Sequence, residues 1–240
     1  MVNALTNPKQ YLESVDKEYY ELFQPLLIDE EKMGEDVGFY KYWRAQKVLS
    51  NLYNVNDGDV SFSAPATFND PFDCNCFFAN NKSMSDLFRI FCVTPSYRNI
   101  LMWSYYAEDH KGYCFQYKKK DIIKAIMSSG IDGLCLIGDV SYKKKRPGLR
   151  ASKNCISFTD LKFYCEVAFT KYEEWKHERE FRFVVISNAY PQNSSYLTLN
   201  TKIYDVYEGC NGSGRSITDS KGNPLHVHKM GKHPNEYKLI

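Results

Sequence analysis

The sequence predicts an α+β fold: a mixed, largely antiparallel sheet with flanking helices. Strand-like runs and helical stripes alternate irregularly, unlike the strict strand–helix repeat of a doubly wound sheet. Tyrosine and phenylalanine number 19 and 15 in 240 residues, and aromatic rings favour strands and line ligand clefts. Hydrophobic residues make up 43% and charged residues 25%, a globular balance. With no internal repeat and no linker, the expectation is one α+β domain over 39–240, with 1–38 as a helical extension packed on it.

The elements follow in order. Residues 7–27 read as a helix: Asn7 caps it, Pro8 suits the first helical position, and Leu12, Val15, Tyr19, Leu22, Phe23 and Leu26 recur at helical spacing. An acidic loop spans 29–36. Phe39–Trp43 is a short aromatic strand, 45–53 a helix, and Asn56-Asp57-Gly58 a turn. Val60 and Phe62 alternate with Ser61 and Ser63, which predicts a second strand. Strands are expected at 88–93, 112–117 and 134–142. A short helix over 121–129 is stopped by Gly130. The stripe Leu161, Tyr164, Cys165, Ala168 and Tyr172 predicts a helix over 159–175, followed by a strand over 178–186. Strand-like pieces at 196–207 and 225–229 flank a polar turn at 211–222.

The formal net charge of +2 points to no partner class through a global field. Eight cysteines occur without a Cys-x-x-Cys pair, and no His/Cys set completes a zinc site, so no metal is expected. No apolar run approaches the roughly 20 residues of a membrane helix, and the N-terminus lacks a signal-like apolar stretch. A reduced, cytoplasmic setting without membrane contact is the expectation.

Three blocks carry chemistry. In a strand over 178–186, Glu178, Glu180 and Arg182 share one face, while Phe181, Phe183 and Val185 fill the other. The charged face is either solvated or holds a carboxylate ready to stabilise a cation or take a proton. Neighbouring carboxylates raise each other's pKa, and Arg182 opposes that shift. The second block is Phe68-Asn69-Asp70-Pro71-Phe72-Asp73, a tight turn held by Pro71 and the Asn69 and Asp70 side chains between aromatic anchors. The third runs from Met102-Trp103-Ser104-Tyr105-Tyr106 to Asp109-His110-Lys111-Gly112. It offers hydroxyls, an imidazole and an ammonium on an aromatic helix stopped by Gly112. No Ser/His/Asp set follows from spacing, and phosphate-loop and dinucleotide glycine patterns are absent. Two basic runs, Lys118–Lys120 and Lys143–Arg146, attract a polyanion if they converge and are otherwise solvated.

Taken in order, these blocks resemble a widespread bacterial family of uncharacterised proteins. Its pattern is matched here by Tyr40-Lys41-Tyr42, by Phe68–Asp73, by Met102-Trp103 with Tyr106 and Gly112, and by Trp175 with Glu178, Glu180 and Arg182. The resemblance covers roughly 39–186. One departure is Trp43, which separates Tyr42 from Arg44. The order of elements is also similar to the ADP-ribosyltransferase fold, in which a first strand carries an NAD-contacting residue and a late strand a catalytic glutamate, often as Glu-x-Glu. That resemblance implies NAD as the cofactor and Glu180, with Glu178 beside it, as the catalytic carboxylate. Tyr42, Lys41 and Tyr106 would contact NAD, and Trp103, Asn69, Asp70 and Arg182 complete the implied binding set. Thr94, Ser96 and Tyr106 compete for the polar position of the second strand. The physical need fits: cleaving the nicotinamide–ribose bond develops a cation that a carboxylate stabilises. Aromatic faces can sandwich the ring, and a basic side chain can hold the pyrophosphate.

The expected function is therefore an NAD-dependent ADP-ribosyltransferase-like enzyme, a toxin or phage-defence effector acting on nucleic acid or protein. Two alternatives stand beside it. One is a nuclease-like protein with a divalent ion on Asp70, Asp73 and the glutamates. The other is a non-catalytic ligand sensor.

Overall fold

A computed structural model describes residues 36–74, 87–131, 133–147, 165–187 and 194–240. The N-terminal helix expected over 7–27 and the stretch 159–164 lie outside them. The strands are β1 (Gly38–Trp43), β2 (Asp59–Ser63), β3 (Phe88–Val93), β4 (Tyr113–Lys118), β5 (Leu134–Asp139), β6 (Ser141–Lys143), β7 (Thr170–Tyr172), β8 (Phe181–Ile186), β9 (Tyr196–Asn200), β10 (Val206–Glu208) and β11 (Val227–Lys229). The helices are α1 (Ala45–Leu49), α2 (Ile100–Tyr106) and α3 (Lys119–Ser128). The protein is thus a mixed α+β structure with largely antiparallel sheets. Among the described residues, no helix is long and apolar enough to cross a membrane.

The described chain divides into two compact units. The first holds 61–74, 87–92, 129–147 and 165–187 with 194–197, and is built on a sheet in the order β5-β8-β3-β2-β9. β5 and β8 pair antiparallel from Leu134↔Ile186 to Asp139↔Phe181. Every residue of β8 is buried, so this strand lies between two covered faces. Phe62, Phe91 and Phe183 stack through this core at 5.4 and 6.4 Å between ring centres.

The second unit holds 36–60, 93–128 and 198–240, with a sheet in the order β1-β4-β10-β11. β1 and β4 pair antiparallel, setting Tyr40 beside Gln116 and Tyr42 beside Cys114. α2 lies on this face, and Trp103 and Ala107 pack with Tyr42 and Cys114. Gly58, at φ +92, permits a close approach. A Cβ there would lie 1.8 Å from the Thr201 carbonyl oxygen.

Three expected elements differ. The helix from 45 stops at Leu49, because Asn51 turns left-handed (φ 45) and Tyr53 and Asn54 follow. The Asn51 side chain donates to Asp57 and accepts from the Asn56 N–H, bonds that compete with helix continuation. The expected helix over 159–175 is helical in its described part only to Ala168. Thr170–Tyr172 then pairs parallel with β6, Ser141 beside Thr170, and this ladder overrides the 3.6-residue stripe. The last strand begins at Phe181 instead of 178, after a 3₁₀ turn over Glu173–Glu178 and a left-handed Arg179 (φ 47).

The Asn99 side chain accepts from the N–H groups of Leu101 and Met102 and so caps α2. Replacing it by alanine should lower stability by about 1 kcal/mol. Urea unfolding of Asn99→Ala measures this, and an unchanged midpoint would deny the cap any weight.

Candidate functional site

In the first unit, two blocks far apart in sequence meet. Arg182, on β8, has no exposed surface. Its Nη2 donates to Asp73 Oδ2 at 2.6 Å and to Glu180 Oε2 at 3.2 Å, and its Nε donates to Glu180 Oε1 at 2.8 Å. Its Nη1 donates to the Ala168 carbonyl at 2.7 Å and approaches Cys74 Sγ at 3.1 Å. The turn 68–73 delivers Asp73. Within it, Asp70 is buried and its Oδ1 accepts from the Phe72 N–H, closing the turn as its residue types suggest. Asn69 is exposed.

Lys171, on β7, completes the cluster. It is 6% exposed, and its Nζ donates to Glu178 Oε2 at 2.5 Å and Glu180 Oε2 at 3.1 Å, with Asp73 Oδ2 at 3.6 Å. Its ammonium also lies 5.1 Å from the Trp175 ring centre. The Glu180 N–H donates to Tyr142 Oη at 2.8 Å. Glu178 and Glu180 therefore do not share one pleated row. A 3₁₀ turn and a left-handed residue bring them together on Lys171 instead.

Burial alone would raise the Glu180 pKa, but Arg182 and Lys171 override it and hold the carboxyl well below the usual carboxylate range. Burial would likewise lower Lys171, and Glu180, Glu178 and Asp73 more than offset this. Burial pushes the Cys74 thiol up. Three carboxylates thus surround two cations in a desolvated place.

The cluster borders a small cleft of about 40 Å³, room for a few waters or one compact group. Lys171 and Cys74 form part of its wall, with Phe72 and Tyr172 beside them. The basic run 143–146 forms the rim. These four side chains are exposed, Lys144 lies 3.8 Å from Glu173, and the Arg146 guanidinium sits 5.7 Å from the Phe72 ring centre. The cleft wall is cationic, and Lys171 and Cys74 stand between it and the carboxylates of the cluster.

The other predicted residues belong to the second unit. Tyr42 is buried edge-on against Trp103, ring centres 5.1 Å apart, and donates to the Ser96 carbonyl. Trp103 is fully buried and donates through Nε1 to the Tyr97 carbonyl. Tyr106 is half-buried against the same cluster. Lys41 is half-buried, its ammonium 6.0 Å from the Trp43 ring centre. Thr94 is buried, and its backbone pairs with Tyr40. Of the basic run 118–120, Lys118 and Lys120 both pair with Asp36, while Lys119 is buried.

Among the described residues, no group of three His, Cys, Asp or Glu side chains is arranged to hold a metal ion. The point shared by Asp73, Glu178 and Glu180 is filled by the Lys171 ammonium. Lys171 is also the residue that sequence reasoning missed. The signal was the run Phe169-Thr170-Lys171-Tyr172, which is rich in β-formers and carries one lysine among buried neighbours.

This geometry defines an α+β protein with an internal carboxylate–cation cluster opening on a basic cleft. Residues 102–183 match the sequence profile of an uncharacterised family described as "Protein of unknown function (DUF2971)". The matched segment takes in Trp103, Tyr106, Lys171, both glutamates and Arg182, and leaves out Asp73. No curated protein and no solved structure matches the chain.

Removing Lys171 leaves buried carboxylates without their ammonium. Lys171→Met should therefore cost about 3–5 kcal/mol, and Lys171→Arg much less. The pH dependence has a definite sign. Glu180 has a depressed folded pKa, so its contribution is present above the unfolded value of about 4.3 and is lost as pH falls towards the folded value. Lys171 is raised, so its contribution is full below about 10.4 and is lost only at higher pH. Stability should be level between about pH 5 and 10 and fall on the acid side, as thermal melts across that range would record.

Proposed function

We propose that the protein is an NAD-consuming enzyme of the ADP-ribosyl-transferring kind, with Glu180 and Glu178 as the carboxylates that meet the ribose end. One observation supports this above the rest. The turn carrying Asp73 and the segment carrying Glu180 and Arg182 converge on a buried carboxylate-rich cluster, next to a cationic cleft.

The donor set suits such a substrate. Breaking the nicotinamide–ribose bond places positive charge at the ribose carbon, and desolvated carboxylates stabilise it. The cations of 143–146 suit a pyrophosphate, and Phe72 and Tyr172 offer ring faces. The cleft is small, so the dinucleotide would lie along its rim, and Lys171 would have to move aside for Glu178 and Glu180 to meet the ribose. Lys171 and Arg182 keep Glu180 ionised, and Lys171 fixes Glu178 in position. The acceptor in this reading is a nucleic acid, because the exposed cations of 143–146 favour a polyanion over a neutral partner. An effector role against the cell or an invading phage would follow from such chemistry.

Purified protein should release nicotinamide from NAD, followed by chromatography. Glu180→Gln should lower the rate by about 10²–10³-fold while a melt shows it folded. Equal rates for the two proteins would remove Glu180 from the chemistry, and no release by the wild type would remove the enzyme reading.

A further inference from the structure

We propose that Ser104 and His110 form a nucleophile–base pair, with His110 in the wall of a cleft of the second unit, suited to small esters that carry negative charge. Ser104 sits one turn after Ile100 on α2. Its Oγ donates to the Ile100 carbonyl at 3.1 Å and lies 3.0 Å from His110 Nε2, within reach of proton exchange. The imidazole lies parallel to the Trp103 indole, with ring centres 6.4 Å apart and an angle of 15°. Nδ1 of His110 is buried and has no hydrogen-bond partner among the described residues.

The backbone that holds this imidazole is unusual. Glu108, Asp109 and His110 are three consecutive non-glycine residues in the left-handed region, at φ 52, 54 and 65. Each such residue costs on the order of 1–3 kcal/mol unless its surroundings fix it. Here they do. The His110 N–H donates to the Trp103 carbonyl, the Asn211 N–H donates to the His110 carbonyl, and the Asn211 side chain donates to the Asp109 carbonyl. Gly209 passes so close that a Cβ would lie 2.1 Å from the His110 oxygen. The turn satisfies the end of α2, but a single glycine would do that with less strain. What the strained form adds is the imidazole against the hydroxyl.

The adjoining cleft holds about 580 Å³, in the range of small-molecule sites. Ile100 and His110 line it, with Cys210, Lys232 and His233 opposite. Lys232 and Lys238 outnumber Glu236 in its wall, a positive bias that suits an anionic substrate. The charged and titratable groups facing the ring are Asp109 on its own turn, the Ser104 hydroxyl, Cys210 and Lys232. Burial, then Lys232, lowers the His110 pKa against the opposing pull of Asp109, so the ring is the neutral base near pH 7. In the step, a bond forms from Ser104 Oγ to the ester carbonyl carbon and the ester C–O bond breaks. The hydroxyl proton passes to His110 Nε2 and then to the leaving alkoxide. Water releases the acyl group through the same base.

An alkyl fluorophosphonate tests this without knowledge of the natural ester. Oγ would displace fluoride from phosphorus, and peptide mass analysis would locate the adduct. The expected result is an adduct on Ser104 that is absent in Ser104→Ala. The labelling rate should rise with pH to a plateau, with a midpoint below 6.5, the ordinary histidine value. His110→Asn keeps a residue that tolerates the left-handed backbone and should slow labelling by about 10²-fold or more. Circular dichroism melts show whether each variant is folded. No adduct on folded wild-type protein overturns the proposal. So do an adduct elsewhere, equal rates in His110→Asn, or a rate that climbs to pH 9 without a plateau.

Discussion

A guanidinium stays charged at any pH that a protein meets, and Arg182 has no exposed surface. Its burial is possible only if acceptors surround it, and the first unit is arranged to supply them. The turn at 68–73 brings Asp73, the residue before β8 brings Glu180, and the helical end at Ala168 brings a carbonyl. Once two carboxylates stand there, a second cation is required, and β7 places Lys171 among them. Lys171 in turn draws in Glu178. The short parallel pair β6–β7 and the 3₁₀ turn over Glu173–Glu178 are best understood as the means of delivering these groups.

Much of the first unit was legible because local pattern and tertiary role agree. β3 was expected at 88–93 and is found there, since a run of β-branched and aromatic residues has few other ways to bury itself. The blocks 68–73 and 175–182 stand out by composition, as acidic residues set among aromatics, and the structure brings Asp73 of the one to Arg182 of the other. What failed was the segment between Ala168 and Glu178. Its helical stripe was genuine as a spacing, yet Thr170, Lys171 and Tyr172 had a strand to pair with, and pairing won. Lys171 was lost with that error, because on a helix it would have been one more solvated lysine. The meeting of Asp73 with Arg182 was beyond local reasoning altogether, since it depends on a contact spanning 109 residues.

The second unit repeats the lesson with another chemistry. Sequence spacing gave no reason to join Ser104 to His110, since residues six apart lie on different faces of a regular helix. The chain joins them by leaving the helix at Ala107 and winding left-handed for three residues. Gly112 and Gly209 are small where backbones crowd together, and this is what lets the turn stay folded down. The glycine after the third block was therefore informative, though as a packing requirement and not only as a helix stop.

The make-up of the cluster argues that it is more than a way to fill a core. Buried ion pairs rarely stabilise a fold better than apolar side chains of the same volume, so stability alone is a poor reason to gather three carboxylates around a lysine and an arginine. Desolvated charge is costly, and this group is set beside an opening: Lys171 belongs both to the cluster and to the wall of the basic cleft. The basic run 143–146 lines the same cleft, so a ligand entering there meets positive charge first and reaches the carboxylates only past Lys171.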